Sequence, residues 1–417
     1  MLTTDPLPES NAEGMELMAA HLSAQRAKGF EAIGLKVVQG HRDGVRIRDL
    51  DGKEYINCRS SGGVFNFGHR PEFAIDALRR GLDQFGDMGD WLVPSAVRAR
   101  GAAALASVLP GDLRYSFFTA AGAEAVEVAC KLARGVTGRS EFVAAERGYH
   151  GHVGFSLAMD EERDNHWFAP LTPGIVKVTF GDADAVDRTV TERTAAVCME
   201  TVPATAGYLV PDEDFWPRVR AICDERGALL ILDEVQAGLG RSGTMWACEN
   251  WGVVPDLLVT GKCLSGGVYP IAACCFGDRV DAFFADDPFF HPSSYSGSEL
   301  GAVVVEAVVQ QLSTPGFLEH VRLMADRLES GLDELCAEYP TVFTGRRGIG
   351  LMQAMDTHSN SICGSLMLSA IDHGVLAIWA NNRQESLLVM PPLVIVESDV
   401  DEIVAGIAKA AAEVAAA

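Results

Sequence analysis

The amino-acid sequence predicts an α/β protein with a mostly parallel sheet, and three observations carry that reading. Between about residues 60 and 302, short apolar runs alternate with helical segments: YSFF, EFVAA, IVKVTF, AAVCME, ALLILDE, DLLVTG and IAACCF. After Ser298 the pattern turns helical, first in ELGAVVVEAVVQQL and then in GFLEHVRLMADRLESGLDELCAEY. At 417 residues the chain is longer than most single cores, so one large and one smaller unit are expected.

Taken in order, AEGMELMAAHLSAQRAKG predicts one amphipathic helix near the start. VRIRDLDGKEYIN predicts two short strands around the turn Asp51-Gly52. The alternating region follows as the larger unit. Pro391-Pro392 marks a break, and DVDEIVAGIAKAAAEVAAA predicts a last helix opened by Ser398, with Asp401 three residues on as a capping pattern. No internal repeat and no low-complexity linker interrupts the chain.

Composition excludes some partners. A net charge of −23 argues against nucleic acid and anionic membrane surfaces, and mildly favours cationic substrates. The opening MLTTDPLPESNAEG is polar and acidic, unlike a secretion signal. No apolar run approaches the roughly 18–20 residues of a membrane helix. The ten cysteines have no metal-ligand spacing, so no metal is expected, and free thiols in a cytoplasmic protein is the plain reading.

LLILDEVQAGLGRSG, residues 229–243, poses the first chemical question. GLGRSG matches the dinucleotide fingerprint letter for letter. In that fingerprint, however, the first glycine ends the strand directly and a helix follows the last. Here DEVQA intervenes, and TMWACENWG is a poor helix start. The glycines are expected to shape a loop. The strand instead delivers Asp233 and Glu234 to the carboxyl end of a parallel sheet, where ligands bind; a cap for the next segment is the bland alternative.

Two further joints carry chemistry. PDLLVTGKCLSGG places Lys262 at a strand end between glycines. A partly desolvated lysine has a lowered pKa and suits imine formation, although a lysine snorkelling to solvent would look the same. YSFFTAAGAEAVEVACKLAR passes through Ala120-Ala121-Gly122 into a helix starting near Ala123. Free N–H groups there make an anion site suited to phosphate. Glu127 and Lys131 are spaced to pair along that helix. A phosphate cradle, a carboxylate for a ring nitrogen and an imine-forming lysine together match the needs of pyridoxal 5′-phosphate.

On these pieces, with DLDGKEYINCRSSGGVFNFGHRPE, GYHGH, WGVVPDLLVTGKCLSGGVYPI, FFHPSSYSGSELG, RGIGLM and MPPL, the chain resembles the class III aminotransferases of PLP fold type I. Among them it stands nearest the putrescine and ω-amino acid members. The resemblance spans roughly residues 45–393. It implies a large cofactor-binding domain, residues 59–305, with a mixed, mostly parallel seven-stranded sheet. It also implies a small α+β domain from both chain ends, residues 1–58 and 306–417.

The same resemblance assigns roles. Lys262 would be the Schiff-base lysine, and Asp233 would pair with the ring nitrogen. Tyr149 would stack on one ring face and Val235 on the other, with Gln236 near the phenolic oxygen. Catalysis would rest on Lys262, Asp233 and Tyr149. Ala121, Gly122 and Ala123 would cradle the phosphate, and Ser294 would reach it across the interface of a homodimer with shared active sites. Glu200 matches the glutamate of the family's E-P-V-Q-G segment.

Departures from the family pattern bear on substrate. Ala120-Ala121-Gly122-Ala123 replaces N-S-G-[TA], losing a serine hydroxyl and at most ~1–3 kcal/mol of phosphate binding. Glu200 is followed by Thr201-Val202-Pro203-Ala204, which reshapes a pocket wall. Leu388 stands where many relatives carry an arginine that forks onto the substrate carboxylate; Arg383 is close in sequence. Trp91 and Trp379 are pocket candidates, with aromatic core as the alternative.

These features imply a PLP-dependent aminotransferase moving an amino group from a terminal amine, diamine or ω-amino compound to a keto acid or aldehyde. An aminomutase, epimerase or racemase, or decarboxylase shares the cofactor and is the second reading. A non-catalytic scaffold is the third.

Overall fold

The computed structural model describes residues 7–160, 166–285 and 287–417. Near the start, β1 (Gln39–Asp43), β2 (Arg46–Asp49) and β3 (Glu54–Asn57) form an antiparallel set, with β2 and β3 hinged at Asp51-Gly52 as expected. The seven apolar runs become β4 (Tyr115–Thr119), β5 (Glu141–Ala145), β6 (Ile175–Val178), β7 (Thr194–Glu200), β8 (Leu229–Asp233), β9 (Leu257–Thr260) and β10 (Ala272–Phe276). They form one seven-stranded sheet in the order β4-β10-β9-β8-β7-β5-β6. Strands β5 to β9 run parallel, and β10 runs antiparallel to both of its neighbours.

Burial explains why these runs are so uniformly apolar. Every residue of β7, β8 and β9 is buried, because helices cover both faces of the sheet. Along β8 the side chains alternate: Leu229 and Ile231 join a core with the helix Gly122–Thr137, and Leu230 and Leu232 join one with Trp216.

The chain ends share a separate core. Tyr55 and Ile56 pack with Leu328, Leu332, Leu387 and Ile403. Towards the C-terminus lie β11 (Phe343–Ile349), β12 (Met352–Thr357), β13 (Val375–Leu376), β14 (Ile378–Ala380) and β15 (Arg383–Val389). Strand β13 adds parallel to β3, while β11-β12-β15-β14 make their own sheet.

Two helices differ from expectation. The first is two helices, Asn11–His21 and Ala24–Ala32, because Ser23 breaks the run and caps the second by accepting from Arg26 N at 3.2 Å. The last begins at Glu397, ahead of Ser398. Asp399 accepts from Val396 N at 3.1 Å, while Asp401 is taken by Arg327 at 2.8 Å. Among the described residues, no helix is long and apolar enough to cross a membrane.

Candidate active site

A cavity of about 290 Å³ opens at the carboxyl ends of β7 and β8, and every residue assigned above to the cofactor lines it except Ser294. Strand β8 delivers Asp233 to its floor. One Asp233 oxygen accepts from Val235 N at 3.0 Å, and the other lies 2.8 Å from His150 Nδ1. The His150 side chain is fully buried, and its backbone N–H donates to Asp160 at 2.7 Å. Burial opposes charge on the imidazole, but the Cys198 sulfur and the hydrogen-bonded Asp233 carboxylate outweigh it, pushing His150 up to about 10.

The neighbouring carboxylate has a different task. Glu234 points away from the cavity, accepting from Thr201 Oγ1 at 2.8 Å and from the N–H groups of Ala247 and Cys248 at 2.9 and 2.8 Å. It therefore ties the loop after β8 to the next segment. Within that loop, buried Arg241 donates to the carbonyls of Leu351 and Pro391 and to Asn66 Oδ1, pinning the glycines behind the cavity. No helix of the dinucleotide kind follows; a short 3₁₀ turn, Ala247–Trp251, does.

Lys262 enters from the end of β9 with φ at +39°, a left-handed conformation that is strained for a residue with a side chain. Its side chain runs over Gly62, where a Cβ would fall 3.0 Å from Lys262 Cε and 3.2 Å from Gln236 Oε1. Desolvation lowers Lys262 below the ordinary amine value, against the pull of Asp233 and Glu200. Glu200, at the end of β7, accepts from Tyr149 N at 3.3 Å and Ala204 N at 3.4 Å. Burial raises its carboxyl to about 8.

The helix Gly122–Thr137 starts at the same cavity, and its N-cap, Ala121, supplies no side-chain hydrogen bond to the first turn. A Cβ at Gly122 would stand 3.1 Å from Val235 Cγ1, so glycine leaves the approach to that helix end open. Glu127 and Lys131 do not pair as the spacing suggested. Glu127 accepts from Ser156 N at 2.9 Å, and Lys131 turns to His291, because each finds a nearer tertiary partner. The donor set fits pyridoxal 5′-phosphate: an uncapped helix start for the phosphate, an acceptor at Asp233 for a protonated ring nitrogen, and at Lys262 an amine of lowered pKa for the carbonyl.

A second cavity of about 130 Å³ shares Gln236 with the first, and is lined by Arg59, Gly62, Tyr208, Trp379 and Leu388. Trp379 is thus a pocket residue. Arg383 does not replace the absent arginine, being held by Asp356 at 3.2 Å and Glu385 at 3.5 Å. Ser294 is exposed and lies outside both cavities. Its neighbour Ser293 donates to Glu124 at 2.7 Å and lines, with Trp91, a third cavity.

Residue-by-residue reading of the sequence left His150 and Gly62 without a role. Both sit in segments singled out above, GYHGH and SSGG, but their partners lie far along the chain.

Residues 31–411 match the family model described as aminotransferase class-III. An uncharacterized aminotransferase from Archaeoglobus fulgidus is 45% identical over 392 residues, which cover 94% of this chain and 92% of that protein. A putrescine aminotransferase from Pectobacterium atrosepticum is 37% identical over 357 residues, covering 83% and 76%. Among solved structures, an (S)-enantioselective omega-transaminase from Thermomicrobium roseum superposes with a TM-score of 0.88 at 25% identity, covering 97% and 99% of the two chains. With the fold, the cavity and these relatives in agreement, the chain belongs to the class III, PLP-dependent aminotransferases of fold type I.

Proposed function

We propose that the protein transfers an amino group from a terminal amine, diamine or ω-amino compound to a keto acid or aldehyde, with Lys262 as the catalytic amine. The observation that carries this reading is the convergence of Lys262 and Asp233 on one cavity beside an uncapped helix start. When bound, pyridoxal phosphate supplies a carbonyl for the amine and a ring that accepts electrons. Lys262 Nζ, lowered in pKa, would take the proton from the carbon bearing the donor amine and deliver it to the carbon that the bound group contributes as its carbonyl. Asp233, backed by His150, would hold the ring nitrogen protonated. Tyr149 and Val235 would confine the ring between them, Gln236 would lie near its phenolic oxygen, and the N–H groups of residues 121–123 would hold the phosphate.

Substrate choice follows from the adjoining cavity. Leu388 offers no charge to an α-carboxylate next to the reacting amine, and Arg383 is already paired. An amine donor without that carboxylate fits, which agrees with the likeness to a putrescine aminotransferase. The chain would work in the cytoplasm as a homodimer, in which exposed Ser294 serves the partner's phosphate site. Residues 59–305 would be the cofactor-binding domain, and residues 1–58 with 306–417 the small one.

An absorbance titration of the holoenzyme tests the reading. Putrescine should bleach the visible cofactor band, and a 2-oxo acid should restore it. A band that persists while the amine is isomerised or decarboxylated would replace the aminotransferase with the mutase, epimerase or decarboxylase reading.

A further inference from the structure

An acceptor keto acid carries a carboxylate, yet the cavity beside Lys262 lacks the arginine that position 388 would supply. One charged side chain does line that cavity: Arg59. Its backbone is tightly placed. Asn57 Oδ1 accepts from Arg59 N at 3.2 Å and from Ser60 N at 3.0 Å. On either side of it, Cys58 O accepts from Met390 N at 2.7 Å, and Ser60 Oγ donates to Met390 O at 2.8 Å. Arg59 is thus clamped across from Met390, just past the end of β15. Leu388 lies two residues before Met390 in the chain and lines the same cavity. Among the described residues, Arg59 makes no ion pair.

We propose that Arg59 is the carboxylate-recognition residue of this enzyme, supplying to the acceptor from the turn after β3 the guanidinium that β15 lacks at Leu388. The geometry serves the two half-reactions differently. An apolar Leu388 leaves room for a chain ending in a second amine. Arg59, itself partly in solvent, can turn towards the carboxylate of a 2-oxo acid or a dicarboxylate and swing away when a diamine enters. Like-charge repulsion between Arg59 and a diamine's far ammonium favours that outward position. The proposal deepens the aminotransferase reading and rests on it for the identity of the acceptor.

Glutarate, an unreactive dicarboxylate, provides a binding readout independent of turnover. Titrated calorimetrically into the holoenzyme, it should bind the wild type and bind R59A roughly 10- to 100-fold more weakly, the range for a charge-assisted hydrogen bond. R59K should fall between, keeping the charge without the fork. R59A/L388R should recover affinity, because the guanidinium returns from the opposite wall. In steady state, KM for 2-oxoglutarate should rise in R59A, while band bleaching by putrescine should not slow. Glutarate binding that is absent in the wild type, or equal in R59A, overturns the proposal. Failure of every amine to bleach the wild-type band instead overturns the aminotransferase reading and leaves the binding result standing.

Discussion

His150 Nδ1 stands 2.8 Å from Asp233 Oδ2, with both side chains buried. The imidazole and the carboxylate both line the cavity that Lys262 enters. The imidazole fixes the direction of that carboxylate, so His150 would act as a positioning residue for the group proposed to meet the ring nitrogen.

His150→Asn should therefore retain the fold while slowing the amine half-reaction. Asparagine can still donate to Asp233 but brings no charge. The lost charged hydrogen bond is worth about 1.5–3 kcal/mol, roughly 10- to 100-fold in rate if it is expressed wholly in the transition state. Stopped-flow bleaching by the donor amine, with the pH dependence of the cofactor band, measures it. An unchanged rate and an unchanged spectral titration would mean that His150 only fills space.

Asp233 and Glu234 should separate cleanly under mutation. Asp233→Asn should abolish most activity with little change in melting temperature. Glu234→Ala should leave two buried backbone N–H groups and the Thr201 hydroxyl without an acceptor. At about 1–3 kcal/mol for each unsatisfied group, it should lose several kcal/mol of stability. Denaturant unfolding beside donor kinetics distinguishes the two; a Glu234→Ala variant as stable as the wild type would contradict the anchoring role.

Adjacent carboxylates with such different partners show what sequence reading reaches. Strands β7 to β9 were legible because parallel strands buried on both faces are written as unbroken apolar runs. Asp233 and Lys262 were legible because each directly ends such a run. His150 was not, since its partner lies 83 residues away. The helix break at Ser23 went unread because a serine inside a helical pattern signals its cap only weakly. The Glu127 and Lys131 pairing failed because local spacing says nothing of Ser156 or His291. Arg59 gains meaning only once β15 is seen to carry Leu388 beside it.

Glu200 sets a pH dependence with a definite sign. Burial lifts its carboxyl from 4.5 to about 8, so the folded state binds this proton more tightly than the unfolded chain. The stability this contributes is complete below about 4.5 and is lost as pH rises through about 8. Glu200→Gln removes the titration. Its melting temperature should match the wild type near pH 5 and exceed it increasingly towards pH 9. A difference that stays constant over that range would show Glu200 to be ionised throughout.

Gly62 should prove more sensitive than its backbone alone requires. With φ at +68°, alanine there costs about 1–2 kcal/mol whatever the space. Its Cβ would also stand 3.0 Å from Lys262 Cε, displacing the amine from Asp233 and the helix start. Gly52 offers the matching control, since its φ is +91° and nothing lies within 4 Å of a Cβ built there. Gly62→Ala and Gly52→Ala should therefore lose similar stability, while only the first should lose cofactor retention and roughly tenfold or more in kcat, the effect of about 1.4 kcal/mol on the barrier. If both variants kept wild-type kcat, Gly62 would serve the turn alone, and the path of Lys262 across it would carry no functional weight.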